Sequence, residues 1–153
     1  PSMLKLMVAS DSHNSSYVER FALLCRGCDQ VVFLGDVLED AEKIQRELGA
    51  PVLKVAGNCD HFSREARQIC INLEGVKTLM VHGDADHVKY GLDRLSYRAA
   101  ELGARLALFG HTHRPCVEER GGVLLVNPGA LKNRCYAQIV IDGESIAPKL
   151  LTL

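Results

Sequence analysis

The sequence predicts an α/β fold in which two β-sheets pack face to face with helices on the outside. Strand-like and helix-like segments alternate through the first two thirds of the 153 residues, as they do in parallel βαβ units. The last third contains only strand-like segments separated by turn dipeptides, which favours antiparallel pairing. The length is typical of one domain, and the chain has no evident linker or repeat, so we expect residues 1–153 to form a single domain.

Short apolar runs and helical periodicity define the first part. The runs at 4–9, 30–34 and 52–56 are rich in β-forming residues and too short for stable helices, so they predict strands. Apolar residues at helical spacing predict the helices between and after them. The predicted helices cover 17–26, 39–48 and 91–102.

Turn dipeptides organise the remaining strands. Glu74-Gly75 predicts a hairpin, and so do Gly121-Gly122 and Asp142-Gly143 further along. These turns predict an antiparallel set of strands after the parallel units. The first hairpin joins 69–73 and 78–81, and the later strands of the antiparallel set are 106–109, 117–119, 123–126, 137–141 and 145–153.

Charge and composition exclude several classes of partner. The 18 basic and 19 acidic side chains give a net charge of −1, without the basic surface that long nucleic acid or an anionic membrane requires. No apolar run approaches the roughly 20 residues that span a bilayer. We therefore expect a cytoplasmic protein that binds a small molecule, with its oligomeric state open, a homo-oligomer included.

The six cysteines fit a reducing compartment, because they are too sparse for a disulfide scaffold. Cys25 and Cys28 form a lone CxxC motif with no second pair at zinc-ribbon spacing. We interpret them as small apolar residues of a helix and its following turn, with a redox or zinc role as the alternative.

Residues of metal-ligand type follow five of the apolar runs. In α/β sheets, ligands bind beyond the carboxyl ends of the strands, where these residues fall. Imidazole, carboxylate and amide ligands without a thiolate cluster suit Mn²⁺, Fe, Zn²⁺ or Ni²⁺ better than a structural zinc or calcium site. The candidate ligands are Asp11, His13, Asp36, Asn58, His82, His111 and His113.

Seven ligands are too many for one tetrahedral ion and suffice for two ions if one carboxylate bridges them. Residues i and i+2 of an extended chain point to the same side, so we expect Asp11 and His13 to reach one ion together, and His111 and His113 to face the same pocket. Two divalent cations carry more positive charge than two aspartates neutralise, so the site would be positively charged. Such a site would attract an anion, and paired metals about 3.5–4 Å apart are typical of phosphoryl transfer.

The ordered motifs resemble those of the calcineurin-like metallophosphoesterase superfamily. D-x-H, G-D-x-x-D, G-N-x-D, H-G and G-H-x-H occur in that order at 11–13, 35–40, 57–60, 82–83 and 110–113. The resemblance is closest to the YfcE-type phosphodiesterase branch, which also includes the retromer scaffold subunit. Asn127-Pro128-Gly129 and the segment 90–95 resemble that branch as well.

The resemblance implies a four-layer α/β/β/α sandwich and a dinuclear phosphoesterase that uses attack by metal-bound hydroxide. It implies that Asp11, His13 and His113 hold one ion. Asn58, His82 and His111 would hold the second ion, with Asp36 bridging both. The third motif, with Asn58, Cys59 and Asp60, is the candidate catalytic segment.

Two departures from the family pattern affect the chemistry. Cys59 stands where many members have a histidine that protonates the leaving oxygen, and a thiol with a pKa of about 8.5 is a poorer acid. Asp84 and Asp86 follow the H-G motif and predict an acidic mouth to the site. His61 and His87 lie nearby in sequence and are interpreted as solvated loop residues.

These features predict a phosphodiesterase that acts on a small soluble phosphodiester with two divalent ions, Mn²⁺ being the first choice. One alternative is a metal-binding scaffold for protein contacts, as in the retromer relative. A second is a phosphomonoesterase or nucleotidase, for which Lys132 and Arg134 are candidate cations for a terminal phosphate.

Overall fold

Two five-stranded sheets face each other in the computed structural model, which describes residues 3–153. The strands are numbered in chain order. The first sheet contains β1 (Met3–Ala9), β2 (Gln30–Phe33), β3 (Val52–Lys54), β9 (Cys135–Asp142) and β10 (Ser145–Thr152), in the spatial order β10-β9-β1-β2-β3. The second sheet contains β4 (Gln68–Leu73), β5 (Val76–Val81), β6 (Leu106–Leu108), β7 (Cys116–Arg120) and β8 (Val123–Asn127), in the order β4-β5-β6-β8-β7.

Alternation along β1 shows how the sheets and helices share the core. Leu6 and Val8 are buried against side chains of the second sheet such as Met80. Met7 and Ala9 point to the other face and pack among helix side chains. The period of two in a strand thus places one set of residues between the sheets and the other beneath the helices.

Three helices cover the outer faces. Helices α1 (Tyr17–Leu24) and α2 (Leu38–Leu48) contribute to the cluster on the first sheet, and α3 (Asp93–Glu101) packs on the second. The resulting α/β/β/α sandwich confirms the predicted fold class. The third helix is shorter than predicted, since Leu92 is its N-terminal cap and Leu102 its C-terminal cap, and a separate 3-10 turn at Val88–Tyr90 precedes it. Within residues 3–153, no helix is long and apolar enough to cross a membrane.

The C-terminal strands differ from the predicted antiparallel set. The hairpins β7–β8 and β9–β10 form as expected, but they belong to different sheets. Strand β8 pairs in parallel with β6, whereas β9 pairs antiparallel with β1. Turn dipeptides determine which strands form a hairpin, and long-range packing determines which sheet the hairpin joins. The predicted antiparallel pairing therefore holds for the two hairpins and was wrong for β6, which pairs in parallel with β5 and β8.

Candidate metal centre

Loops from both sheets bring imidazole and carboxylate groups together at one end of the sandwich. Asp11 is central, because its Oδ1 atom lies 3.2 Å from Nε2 of His113, 3.8 Å from Nε2 of His82 and 4.0 Å from Nε2 of His13. Oδ2 of Asp36 lies 3.4 Å from Nε2 of His82 and 4.0 Å from Nε2 of His13. Two sets of three ligand atoms, each within 4.8 Å of one another, result: Asp11, His13, His113 and Asp11, Asp36, His82.

His111 adjoins the second set. Its Nδ1 atom lies 3.3 Å from Nε2 of His82. Two nitrogens that are each about 2.1 Å from one ion are separated by a similar distance. Six of the seven predicted ligands are therefore brought together.

Asn58 is the predicted ligand that stays apart. Its side chain is exposed, and its amide nitrogen lies 3.9 Å from Sγ of Cys59. Within residues 3–153, this amide makes no other contact at hydrogen-bond distance. The side chain would have to turn inward to contribute an oxygen to the centre.

The backbone at the ligands is left-handed, which the sequence reasoning did not anticipate. Asp11, His13, Asp36, His111 and His113 have φ values of 53°, 47°, 62°, 70° and 64°. Each such residue costs of order 1–3 kcal/mol and persists where the surrounding structure enforces it. The prediction that both ligand pairs use extended chain was therefore wrong, although the pairs do converge.

Glycine is needed at two positions because the loops approach closely. A Cβ atom at Gly57 would lie 2.2 Å from Oδ1 of Asp36. A Cβ atom at Gly110 would lie 2.2 Å from Oγ of Ser10 and 2.8 Å from Oδ2 of Asp11. Any larger residue would displace the carboxylates, so these glycines set the spacing of the centre.

The two oxygens of Asp11 have different surroundings. Oδ2 accepts hydrogen bonds from Oγ of Ser10 at 2.6 Å and from the backbone N–H of His111 at 3.1 Å. Oδ1 is buried and has no hydrogen-bond partner, and the same is true of Nε2 of His13. Buried polar atoms without partners are costly. Their positions, beside further nitrogen and oxygen ligands, fit divalent cations.

A backbone carbonyl fixes the orientation of His82. Its Nδ1 atom lies 2.7 Å from the carbonyl oxygen of Leu34, so Nδ1 carries a hydrogen, and in the neutral ring the lone pair of Nε2 is available to an ion. Burial lowers the pKa of His82, but Asp36 and Asp11 outweigh it and the net shift is upward. Burial likewise opposes ionisation of Asp36, yet His82 and the N–H of Cys59 hold its pKa well below the usual range.

The two imidazoles of the G-H-x-H motif, His111 and His113, favour the neutral form that binds metals. Burial lowers the pKa of His111, and the neighbouring His82 adds to this. Burial also lowers the pKa of His113. Both rings are therefore unprotonated near neutral pH and available as ligands.

Asp60 holds the ligand loops in place. Oδ2 accepts the backbone N–H groups of Asp36 and Gly57 at 2.9 and 2.8 Å, and Oδ1 accepts those of Val37 and Leu38 at 3.0 Å each. These four hydrogen bonds occupy a carboxylate that is 8% exposed. This arrangement fits a positioning role for Asp60, and the catalytic role stays a prediction.

Two more buried polar side chains, Asp40 and Asn127, support the ligand loops. The sequence reasoning did not single them out. Asp40 accepts hydrogen bonds from Oγ of Ser12 at 2.6 Å and from the N–H of Asn14 at 2.9 Å. Asn127 donates to the carbonyl of Gly110 and to Oγ1 of Thr112. Asp40 and Asn127 do belong to the G-D-x-x-D and N-P-G motifs, and that membership was the available signal.

Cys59 lies at the edge of the centre. Its backbone N–H donates to Oδ1 of Asp36 at 2.9 Å, while its side chain is exposed. Desolvation and the nearby Asp36 raise the pKa of the thiol. The thiol is thus protonated at neutral pH and an even weaker acid than an isolated cysteine.

The expected acidic mouth is incomplete. Asp86 is buried and accepts two hydrogen bonds from Nη1 of Arg98, at 2.8 and 2.9 Å, so its charge is neutralised inside the protein. The prediction that it faces the mouth was therefore wrong.

Arg134, a candidate cation for a terminal phosphate, makes contacts within the protein. It donates a hydrogen bond to the carbonyl of Leu153 and lies over the ring of Tyr17.

Other candidates remain at the surface. His61 and His87 are exposed, as interpreted. Lys132 is exposed as well, and its charge lies close enough to contribute to the lowered pKa of His113. The six cysteines are all free thiols, with Cys25 buried and Cys28 half-buried.

Comparison of the sequence with known proteins identifies the family of this chain. The model of the calcineurin-like phosphoesterase superfamily domain matches residues 4–141. The chain belongs to this superfamily. It is 32% identical over 157 aligned positions to the phosphodiesterase YfcE of Escherichia coli K12, covering 84% of this chain and 80% of that protein.

Two solved structures agree with this chain in fold. A conserved uncharacterized protein of Streptococcus pneumoniae TIGR4, described as a predicted phosphoesterase, superposes with a TM-score of 0.84 and 25% identity, over 99% of this chain and 91% of that chain. Vps29 of Entamoeba histolytica complexed with Zn²⁺ superposes with a TM-score of 0.76 over 97% and 99% of the two chains. At 19% identity, the latter likeness concerns the fold alone.

Proposed function

We propose that the protein is a dinuclear metal-dependent phosphodiesterase that hydrolyses a small soluble phosphodiester. The observation that carries this proposal is the shared position of Asp11, whose partnerless Oδ1 atom faces His13, His82 and His113 at once. A carboxylate oxygen between two groups of nitrogen ligands is suited to neighbouring cations. Membership of the superfamily and the identity with YfcE support the same activity.

We divide the ligands as the family resemblance implies. Asp11, His13 and His113 would hold one ion, in agreement with the distances between their ligand atoms. His82 and His111 would hold the other, with Asp36 bridging both. Asp36 also approaches His13, so both carboxylates face both sets. Asn58 would complete the second set by turning inward. Mn²⁺ is our first choice for the native metal, ahead of Fe, Zn²⁺ and Ni²⁺.

Divalent ions held here would supply positive charge to phosphoryl oxygens and activate a water as nucleophile. The chain itself supplies orientation. Leu34 fixes the His82 ring, Ser10 and the N–H of His111 fix one oxygen of Asp11, and Asp60 fixes the turn that carries Asp36. The centre is thereby preorganised for a charged substrate.

Cys59 bears on the choice of leaving group. Because its pKa is raised, the thiol offers little general-acid assistance near neutral pH. The enzyme would then favour esters whose leaving oxygen needs little protonation.

Free cysteine thiols throughout also support the expected cytoplasmic setting.

The proposal is tested by assaying bis(p-nitrophenyl) phosphate hydrolysis in Mn²⁺ with the wild-type chain and with Asp36→Asn. We expect turnover that is lost by at least a hundredfold in Asp36→Asn, while Asp142→Asn, at the exposed end of β9, stays within twofold. Circular dichroism checks that the variants fold. Comparison with p-nitrophenyl phosphate separates diester from monoester preference. A wild-type chain that is inactive on both esters in Mn²⁺, Zn²⁺ and Ni²⁺ would contradict the proposal and favour the scaffold.

A further inference from the structure

A groove of about 560 Å³ opens beside Thr112, the residue between His111 and His113. This volume lies within the range of small-molecule sites, roughly 300–1,000 Å³. Its floor includes the buried side chains of Val88 and Phe109 and the half-buried Leu92. Thr112 is the one lining residue that separates two predicted ligands, so an ester substituent on this side of the G-H-x-H loop would extend toward the groove.

Two cations line the groove and no acidic residue does. Lys89 and Arg114 are exposed, and neither forms an ion pair with a residue between 3 and 153. Because Thr112 lies between the ligands His111 and His113 in the chain, the groove adjoins the metal centre on this side.

Thr112 has a free hydroxyl hydrogen at this position. Its Oγ1 atom accepts hydrogen bonds from Nδ2 of Asn127 at 3.0 Å and from the N–H of Arg114 at 3.1 Å. A hydroxyl has two acceptor positions and one donor, so both acceptor positions are used. The remaining O–H is available to donate to a ligand oxygen in the groove.

A second groove, beside Cys59, has the opposite character. It measures about 620 Å³ and is lined by Glu39, Glu42 and Glu65 together with Lys54 and Arg64. Glu65 already pairs with Lys54 at 3.9 Å, which leaves the unpaired charge mainly acidic. An anionic substituent would be repelled here and attracted to the groove beside Thr112.

We propose that the groove of Lys89, Thr112 and Arg114 binds the second arm of the phosphodiester and selects arms that carry an additional negative group. The inference rests on the proposed function, because it concerns the substrate of the same centre. It identifies the substrate class as a diester with a short apolar arm that ends in a carboxylate or phosphate. The apolar floor takes the stem of the arm, and the two cations with the Thr112 hydroxyl take its end.

Two p-nitrophenyl phosphodiesters test this selection, one with an n-butyl arm and one with a 3-carboxypropyl arm. We expect the wild-type chain to favour the charged arm at least fivefold in kcat/KM at low salt. The ratio of charged to neutral kcat/KM should fall at least tenfold in the double variant Lys89→Glu/Arg114→Glu, mainly through KM. Lys149→Glu, on exposed β10, should leave the ratio unchanged.

Binding of the same two diesters to the Asp36→Asn protein, measured by calorimetry, provides a readout without turnover. The inference is supported if Asp36→Asn binds the diester with the charged arm more tightly and this preference disappears when Lys89→Glu and Arg114→Glu are added to it. Equal binding of the two diesters would overturn the inference, as would a ratio that responds to Arg64→Glu and not to the Lys89/Arg114 pair. If neither diester is hydrolysed by metal-loaded wild type, the proposed function fails, and the calorimetric comparison still decides the selectivity of the groove.

Discussion

Nδ1 of His82 lies 2.7 Å from the carbonyl oxygen of Leu34, and this contact connects the second sheet to the first at the metal centre. A carbonyl oxygen accepts hydrogen bonds and does not donate, so the ring must carry its hydrogen on Nδ1. The lone pair of Nε2 then points toward Asp11 and Asp36. The packing of the two sheets thus determines which imidazole nitrogen can bind an ion.

Replacing His82 tests this assignment. His82→Asn removes the Nε2 ligand, and we expect the affinity for one of two Mn²⁺ ions to fall by at least a hundredfold. Isothermal titration of metal-free protein measures the affinity and the stoichiometry. His87→Asn is the control, since His87 is exposed and its left-handed φ of 53° suits asparagine. Equal metal binding by the two variants would show that His82 is not a ligand.

Asp60→Asn distinguishes positioning from catalysis. An amide has one acceptor oxygen, so at least two of the four backbone N–H groups held by Asp60 would face an NH₂ group. We expect a loss of about 2 kcal/mol or more in the free energy of unfolding, measured with urea in chelator, and weaker Mn²⁺ binding. Asp142→Asn should stay within about 0.5 kcal/mol of wild type. Full stability and metal affinity combined with lost turnover would instead support the predicted catalytic role.

Cys59→Ala should leave the turnover of an activated aryl phosphodiester nearly intact, because a thiol with a raised pKa contributes little as an acid. The raised pKa has its own signature. Alkylation of Cys59 by iodoacetamide should be slower at pH 7.5 than that of a free thiol and should accelerate continuously up to pH 9. A loss of turnover of a hundredfold or more in Cys59→Ala would make the thiol a participant.

The pair formed by His82 and Asp36 predicts how the stability of the metal-free protein depends on pH. The raised pKa of His82 contributes stability that is fully present below its unfolded value, about 6.5, and is lost as the pH rises through the folded value. The depressed pKa of Asp36 contributes stability above about pH 3.9 that is lost only as the pH falls through its lower folded value. We therefore expect the free energy of unfolding in chelator to fall between pH 6 and pH 9.

Asp36→Asn is the comparison for that pH dependence. Without the carboxylate, the pKa of His82 loses a main cause of its rise, so the fall in stability between pH 6 and pH 9 should be smaller. Urea unfolding of both proteins at the two pH values measures the difference. An identical fall in wild type and Asp36→Asn would show that the pair does not cause it.

Local sequence patterns predicted the elements of the fold better than their arrangement. The apolar runs and the Gly121-Gly122 and Asp142-Gly143 turns identified the strands and hairpins, because strand propensity and turn geometry are local properties. The placement of the two C-terminal hairpins in different sheets depends on pairing of β8 with β6 and of β9 with β1. Those contacts join residues far apart in sequence and leave no local pattern.

The site could be predicted from residue types at strand ends, and its geometry could not. Asp11 and His113 converge because the strands before them end at the same edge of the sandwich. Asp and His adopt a left-handed backbone more often than most residues do, but too rarely for the sequence to predict it at these positions. The burial of Asp86 depends on Arg98, one helix further along the chain, and so it too required the structure.

The central claim is that two divalent ions at this centre are required for phosphodiester hydrolysis. Its most direct test is the titration of metal-free protein with Mn²⁺ while the hydrolysis of bis(p-nitrophenyl) phosphate is followed. We predict no turnover without metal and a rise that reaches its plateau at two equivalents per chain. A plateau at one equivalent, or full turnover in the presence of a chelator, would contradict the claim.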